Sequence, residues 1–117
     1  MGAPVTWFEI SSSNSRALHE FYAEAFDWSL QVVEGFPYAL VDTGVDGAIG
    51  GGIGEAQGPN QVIFYIEVRD PHAYLDRIAQ LGGNTVVPVT EIPGLVTFAQ
   101  FADPEGNVVG LVKAPEA

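Results

Sequence analysis

The sequence predicts an α+β protein in which two βαβββ modules in tandem form a curved mixed sheet around a cleft. The first observation is an internal repeat: Val5–Ala25 aligns with Gln61–Leu81 at a constant shift of 56 residues. The second is that both stretches have the pattern of a strand, a capped turn and a helix. The third is that several strand-like runs follow each helix. Two copies of one unit favour a symmetric pair of modules with a cleft between them.

The repeat keeps apolar positions and a capping position. Four of its 21 aligned pairs are identical: Phe8 with Phe64, Ile10 with Ile66, Ala17 with Ala73, and Ala23 with Ala79. Asn14 aligns with Asp70, which indicates a helix cap in both copies. At this length we expect a single domain over 1–117, with module one at about 4–54, a linker at about 55–60 and module two at about 61–114.

In module one, Val5–Ile10 is a β-branched and aromatic run typical of a strand. Asn14 is the expected N-cap of a helix over Arg16–Trp28. Apolar residues at helical spacing predict one buried stripe on this helix, made of Leu18, Phe21, Tyr22, Ala25 and Phe26. Strands follow at 30–33, 38–42 and 48–53, and the glycines at 50–52 predict a bulge or a close backbone approach in the last one.

In module two, Val62–Val68 has the clearest strand pattern of the chain. Asp70 and Pro71 are a cap followed by a proline in the first helical turn, and the helix is expected to end at about Leu81, before two glycines. Strands are predicted at 85–89, 96–102 and 108–112. A tight-turn sequence, Asp-Pro-Glu-Gly-Asn at 103–107, separates the last two.

Composition excludes several classes of function. The chain carries 15 acidic against four basic side chains, a formal charge of −11, which predicts no nucleic-acid partner and no binding to an anionic membrane surface. It has no cysteine, so disulfides, thiolate catalysis and cysteine-ligated metals are excluded. No apolar run is long enough to span a bilayer, and no signal pattern is present, so the expected location is the cytoplasm.

Alternation along the first strand separates two faces. Phe8 and Ile10 are expected to pack beneath the helix, which leaves Trp7 and Glu9 on the opposite face. The repeat extends this prediction to the second module. There, Phe64 and Ile66 are expected under the helix, and the residues expected to face the cleft are Ile63, Tyr65 and Glu67.

The cleft is expected to have apolar walls and few polar groups, which is typical of a small-molecule pocket. Its expected lining is Trp7, Tyr65, Phe98, Glu9 and Gln100. Taken singly, each of the three aromatic residues is more often a core or dimer-interface residue than a ligand platform. Glu9 is flanked by apolar side chains, so partial desolvation would raise its pKa and suit it to general acid–base work. It could equally be a hydrogen-bonded structural group.

The sequence supports neither a histidine metal site nor a serine nucleophile. His19 and His72 fall on the predicted helices without a metal-ligand spacing, and both are interpreted as surface residues. The serines cluster in the segment that precedes the first helix, and G-x-S-x-G is absent.

Several segments together resemble the vicinal oxygen chelate superfamily, which includes glyoxalase I, bleomycin-resistance proteins, fosfomycin-resistance enzymes and extradiol dioxygenases. They are the duplication itself, the opening Trp7–Ile10, the aromatic residues of the first helix, and the ending Phe101–Leu111 with its Asp-Pro-x-Gly turn. The resemblance covers essentially the whole chain, and it implies the fold stated above and a homodimer.

In metal-dependent members of that superfamily, His, Gln or Glu side chains hold a divalent ion. The resemblance places those positions at Trp7, Ile63 and Gly110, with the fourth near Gly51. None of these residues has a side chain that binds such an ion, so no metal and no other cofactor is expected.

The resulting interpretation is a metal-free protein that binds a partly aromatic metabolite or drug, as sequestering resistance proteins do. The expected ligand-binding residues are Trp7, Glu9, Ile63, Tyr65, Phe98, Gln100 and Gly110. One alternative is a metal-independent isomerase, epimerase or cyclase with Glu9 as the catalytic acid or base. Another is a metal-dependent enzyme with unusual ligands such as Glu9 and Glu67. A cleft filled by its own side chains is the structural alternative.

Overall fold

The structure, a computed structural model, describes residues 1–115 and contains two helices and eight strands within them. In chain order the elements are β1 Val5–Ser12, α1 Ser15–Phe26, β2 Ser29–Val32, β3 Tyr38–Asp42, β4 Gly50–Glu55, β5 Gln61–Val68, α2 Pro71–Gln80, β6 Asn84–Ile92, β7 Val96–Ala102 and β8 Val108–Lys113. The α+β class and the double βαβββ order are therefore confirmed. Every predicted strand is present, with ends that differ by a few residues.

The chain forms two compact units, one of Trp7–Ile63 and the other of Met1–Thr6 with the residues from Phe64 onward. In the first unit the strands lie in the order β2-β3-β4-β1, with β1 parallel to β4 and the other pairs antiparallel. In the second the order is β5-β8-β7-β6, with β5 parallel to β8 and the other pairs antiparallel. Each unit thus repeats the same connectivity.

The strand pairing shows that residues equivalent in the sequence repeat also pair with equivalent positions on a neighbouring strand. Glu9 pairs with Gly52 on β4, and Tyr65, which lies 56 residues after Glu9, pairs with Gly110 on β8. Gly52 and Gly110 are therefore equivalent positions of the two modules.

Each helix begins where the sequence predicts a cap. The Asn14 side chain accepts a hydrogen bond from the Ala17 N–H at 3.4 Å, and Asp70 accepts one from the Ala73 N–H at 3.2 Å. These bonds satisfy N–H groups that the first turn of a helix leaves without a partner. α1 ends at Phe26, and its C-cap Asp27 has a left-handed backbone (φ 58°), so Trp28 lies beyond the helix and not inside it.

α1 covers one face of its sheet. Ile10, Val41 and Ile53 form the buried core there, and the residues that pack against them are Phe8, Leu18, Tyr22, Trp28 and Leu30. The prediction that Phe8 and Ile10 lie beneath the helix is confirmed. The predicted stripe is too wide, because Phe21 and Phe26 are both 58% exposed.

The second core consists of Val68, Ala99 and Leu111, with Ile66, Leu75, Ile78, Val89 and Phe101 packed around it. Ile66 is thus covered as predicted, but the prediction for Phe64 is wrong, since it is 43% exposed. The reason lies in the repeat. Phe8 is covered by the Trp28 ring, with centroids 5.5 Å apart, whereas the residue 56 positions after Trp28 is Asn84. An asparagine offers no ring to pack on Phe64.

His19 also differs from its prediction as a surface residue. Its side chain is partly buried, and its Nε2 is buried with no hydrogen-bond partner among residues 1–115. His72 is exposed, as predicted. No helix in the described part of the chain has both the length and the apolar character needed to cross a membrane.

Candidate functional site

The face of the first unit opposite α1 carries the candidate site. Side chains that pair across neighbouring strands share a face of the sheet. Trp7 pairs with Gly50, and Glu9 pairs with Gly52, which in turn pairs with Leu40. Leu40 then pairs with Gln31 on β2. Trp7, Glu9, Leu40 and Gln31 therefore lie on one face, which we call the Trp7 face.

Glycines on this face make room for two aromatic rings. A Cβ at Gly50 would lie 3.0 Å from Cζ3 of Trp7, and one at Gly54 would lie 2.6 Å from Cδ2 of Tyr38. A Cβ at Gly52 would overlap the Tyr38 hydroxyl. The backbone of β4 is thus a floor against which both rings pack, which agrees with the close approach that the glycine run predicts.

Tyr38 joins Trp7 to Glu9 through a chain of hydrogen bonds. The indole Nε1–H of Trp7 donates to the Tyr38 hydroxyl at 3.3 Å, and that hydroxyl donates to Oε2 of Glu9 at 3.2 Å. All three side chains are partly buried. The Glu9 carboxylate therefore has a fixed phenolic donor, and the Trp7 ring is held at its nitrogen.

Sequence reasoning did not single out Tyr38. The signal that could have found it is the alternation of glycines at 50, 52 and 54, which leaves a strip of backbone uncovered on one face. A large side chain on a neighbouring strand has to fill that strip, and Tyr38 pairs directly with Gly54.

Beside this chain the Trp7 ring borders a pocket of about 370 Å³, whose other lining residues are Ser29, Leu30, Gln31, Leu40, Val41 and Asp42. Leu30 and Val41 belong to the core cluster on the opposite face. The pocket therefore has an apolar wall from Trp7 and Leu40, and a polar rim from Ser29, Gln31 and Asp42. An apolar pocket with a few polar groups is typical of small-molecule sites.

In the second unit, Tyr65, Phe98, Gln100 and Gly110 come together. Tyr65 and Gln100 both pair with Gly110, and a Cβ at that glycine would overlap the Tyr65 ring. The Gln100 Nε2 donates to the Tyr65 hydroxyl at 3.0 Å. The Phe98 ring meets Tyr65 edge-on, with centroids 6.5 Å apart. Ile63, which is the last residue of the first unit, is buried at 5% exposed.

A larger pocket of about 660 Å³ lies at the amino end of α2 and contains none of the residues predicted for the site. Its lining mixes the cations Arg69 and Lys113 with the carboxylates Asp70 and Glu91. Asp70 caps the helix. Because the charges are balanced and one carboxylate is structural, the chemistry of this pocket does not point to a ligand.

Comparison with known proteins identifies the family. A family model described as a glyoxalase-like domain matches residues 7–112, nearly the whole chain. The chain belongs to the glyoxalase-like domain family. This confirms the resemblance to the vicinal oxygen chelate superfamily that the sequence predicts.

The chain is similar in sequence to part of a longer protein. The chain is 28% identical to the anthracycline biosynthesis protein DauV of Streptomyces sp. (strain C5) over an alignment 123 positions long, gaps included, which covers 90% of the chain and 44% of DauV. It therefore spans less than half the length of that relative.

Two solved structures share the glyoxalase-like fold. A glyoxalase/bleomycin resistance protein/dioxygenase superfamily member from Vibrio splendidus 12B01 has a TM-score of 0.63 at 14% identity, covering 96% of this chain and 98% of that one. Methylmalonyl-CoA epimerase of Streptomyces coelicolor, in complex with 2-nitronate-propionyl-CoA, has a TM-score of 0.66 at 16% identity, covering 97% and 99%. At these identities the likeness shows the fold alone.

The residues of this glyoxalase-like chain do not fit the metal that the superfamily implies. Trp7 offers only an N–H donor, which Tyr38 already accepts, and Ile63 has no ligand atom. Gly110 has no side chain, and Tyr65 fills the space that one would need. The fourth position is Gly52 by the register and not Gly51, because a Cβ at Gly51 would meet Phe8 on the helix-covered face.

In the described part of the chain, no cluster of carboxylates is placed to serve as an alternative set of metal ligands. Among residues 1–115 no group of three or more His, Cys, Asp or Glu side chains is placed to hold a metal ion. The alternative with Glu9 and Glu67 as unusual ligands therefore stays a prediction without a supporting cluster.

Proposed function

We propose that the chain binds a small, partly aromatic molecule on its Trp7 face without a metal, as a binding or sequestering protein. The observation that carries the proposal is the pocket of about 370 Å³ that is lined by Trp7, Leu40 and a polar rim. This volume is near the lower end of the range of roughly 300–1,000 Å³ for ligand pockets. It suits one mono- or bicyclic ring system.

The fixed position of the Trp7 ring supports the same function. One side of the ring rests on Gly50, and its nitrogen is held by Tyr38. A ring that is ordered before the ligand arrives loses little conformational entropy on binding. Affinity alone suffices for sequestration, so this function needs no catalytic group.

Ligand contact by Ile63, Tyr65, Phe98, Gln100 and Gly110 stays a prediction. A homodimer and a cytoplasmic location stay predictions as well.

The test is a set of mono- and bicyclic aromatic fragments screened by ligand-detected NMR, with affinities of the hits measured by calorimetry. We expect Trp7→Leu to weaken binding about tenfold or more, because stacking on an aromatic side chain is lost. Phe36→Leu, an exposed aromatic residue of the same unit outside the pocket lining, is the matched control. Absence of hits, or equal binding by Trp7→Leu, would refute the proposal.

The second candidate is a metal-independent enzyme of the isomerase, epimerase or cyclase type. The hydrogen bond that the Tyr38 hydroxyl donates to the Glu9 carboxylate favours this candidate. Glu9 lies on the same sheet face as the pocket residue Leu40. A carboxylate with a fixed donor can take and return a proton. That an epimerase shares this fold is compatible with the proposal.

Deuterium exchange separates the two functions. The fragment hits that carry an acidic C–H are incubated with the protein in D2O and followed by proton NMR. An enzyme of this type washes deuterium into the ligand, and Glu9→Gln abolishes the exchange while binding persists. Glu34→Gln, an exposed carboxylate of the same unit, is expected to leave the exchange unchanged. Exchange that survives Glu9→Gln would rule out this role for Glu9.

A further inference from the structure

The polar rim of the Trp7 pocket carries a single kind of charge. Among the described residues that line it, Asp42 is the charged one, and the other polar side chains are Ser29 and Gln31. Asp42 pairs with Ser29 across β3 and β2, which places both at the same edge of the pocket. Its Oδ1 accepts a hydrogen bond from the Gly44 N–H at 2.8 Å, so the carboxylate is held in place by the turn that follows β3.

The charges of the surrounding unit have the same sign. The stretch Trp7–Ile63 contains eight acidic side chains and one arginine, Arg16. Arg16 lies on α1, which packs on the face opposite Trp7. The charges of this unit therefore favour a negative potential at the pocket, and an anionic ligand would find no side-chain cation among the described residues of its lining.

An aromatic ring beside a carboxylate is a combination that recognises organic cations. The face of an indole attracts an ammonium group through the quadrupole of its ring, and tryptophan is the strongest of the aromatic side chains in this respect. A carboxylate at the edge of the same pocket adds a charge-assisted hydrogen bond or an ion pair. Trp7 and Asp42 both line this pocket.

We infer that the ligand of the Trp7 pocket is a cationic aromatic compound, with a planar ring system that carries a protonated amine or a quaternary nitrogen. The ring packs between Trp7 and Leu40, and the positive charge faces Asp42. Ser29 and Gln31 are within the same lining to bond further polar substituents. The inference rests on the proposed binding function and specifies its ligand class.

Three probes with the same bicyclic ring system test the charge: 1-methylquinolinium as the cation, quinoline as the neutral compound and quinoline-2-carboxylate as the anion. Their affinities are measured by calorimetry at pH 7.5, at low and at physiological salt. We expect the cation to bind about tenfold more tightly than quinoline and the anion to bind more weakly than both, with a difference that narrows as salt screens the charges.

Variants then locate the charge that matters. Asp42→Asn is expected to weaken binding of the cation about two- to fivefold, because Asp42 is exposed, and to leave quinoline nearly unchanged. Asp46→Asn is the matched control, since it removes the same charge from the same loop region but lies outside the pocket lining. Asp42→Ser, which keeps a short oxygen acceptor for the Gly44 N–H, is the second variant if Asp42→Asn does not fold, as judged by circular dichroism.

The outcomes distinguish this inference from the function on which it rests. Equal affinities for the cation and quinoline, both lost in Trp7→Leu, would overturn the ligand class and keep the binding function. An equal loss in Asp46→Asn and Asp42→Asn would overturn the role of Asp42. If none of the three probes binds, the inference fails, and the wider fragment set decides the binding function.

Discussion

The Tyr65 ring occupies the space that a side chain at Gly110 would need. The equivalent glycine of the first module, Gly52, is covered in the same way by Tyr38. The two tyrosines reach these glycines from different strands, since Tyr65 lies on β5 and Tyr38 on β3. The two modules thus fill equivalent spaces with tyrosine rings that come from different strands.

This filling occupies, in both modules, the space over the glycine at which the resemblance places a metal ligand. In each module the position that would hold a ligand atom is a glycine, and a phenol lies over it. Each phenol takes part in a local hydrogen bond, with Glu9 in one module and with Gln100 in the other. A side chain at either glycine would have to displace a ring.

Gly110→Ala is the direct test of this packing. We expect it to lower the free energy of unfolding by about 1–3 kcal/mol, because the added methyl group meets the Tyr65 ring. The measurement is urea denaturation followed by circular dichroism. The matched control is Gly58→Ala, where a Cβ meets nothing within 4 Å. In a Tyr65→Ala background the cost of Gly110→Ala should fall substantially, and an unchanged cost would contradict the explanation.

The sequence predicts the parts of this arrangement that depend on local pattern. The helix caps at Asn14 and Asp70 are predictable from the sequence, because capping requires particular side chains at particular positions. Strand alternation predicts that Trp7 and Glu9 lie on the sheet face opposite the helix. The glycine run predicts that another group packs closely on the backbone of β4. The glycines at 50, 52 and 54 indicate that a large side chain covers β4, but they do not say which one, because the register that pairs Tyr38 with Gly54 depends on the connection between β3 and β4. The exposure of Phe64 and the burial of His19 depend on packing between elements, which no local pattern encodes.

Tyr38→Phe tests the hydrogen-bond chain and leaves the ring in place over Gly52 and Gly54. It removes the donor to Glu9 and the acceptor of the Trp7 N–H, so we expect a loss of about 1–2 kcal/mol in the free energy of unfolding. A double-mutant cycle with Trp7→Phe should give a coupling energy of about 1 kcal/mol. Tyr74→Phe, on the exposed side of α2, serves as the control. A coupling energy of zero would show that the Trp7–Tyr38 bond contributes nothing.

The two helix caps are expected to contribute similar amounts. Asn14→Ala and Asp70→Ala each remove the acceptor of an N–H group in the first helical turn, at a cost of about 1 kcal/mol. Thermal and urea unfolding measure both. Asp76→Ala, an exposed position within α2, removes the same kind of side chain as Asp70 without a cap. If Asp76→Ala costs as much as Asp70→Ala, the capping explanation fails.

The hydrogen bonds of the Asp103 carboxylate predict that the stability of the fold depends on pH. The Asn107 side chain donates to its Oδ2 at 2.9 Å, and this bond, followed by those from the backbone N–H groups of the turn, lowers the pKa of Asp103 below its usual 3.8. A lowered pKa in the folded state stabilises the protein above pH 3.8, and this contribution is lost as the pH falls toward the folded-state value.

The Asp103→Asn variant should therefore show a smaller loss of stability on acidification below about pH 4 than the unaltered protein. Unfolding midpoints in urea, measured at steps of pH from neutral to acid, give the slope. Glu105→Gln alters a carboxyl group of the same turn and is the control. Identical acid slopes for the Asp103 variant and the unaltered protein would exclude the contribution of this turn.

His19→Leu is expected to stabilise the protein. The imidazole Nε2 is buried on α1 and has no hydrogen-bond partner among residues 1–115, so folding removes it from water without a replacement. An apolar side chain of similar size avoids this cost, and we expect a gain of about 1 kcal/mol. Leucine also has the higher helix propensity, so His72→Leu, at an exposed position of α2, measures the propensity term alone. The gain at His19 should exceed that at His72 in urea denaturation. An equal or smaller gain at His19 would mean that Nε2 is solvated or paired in solution.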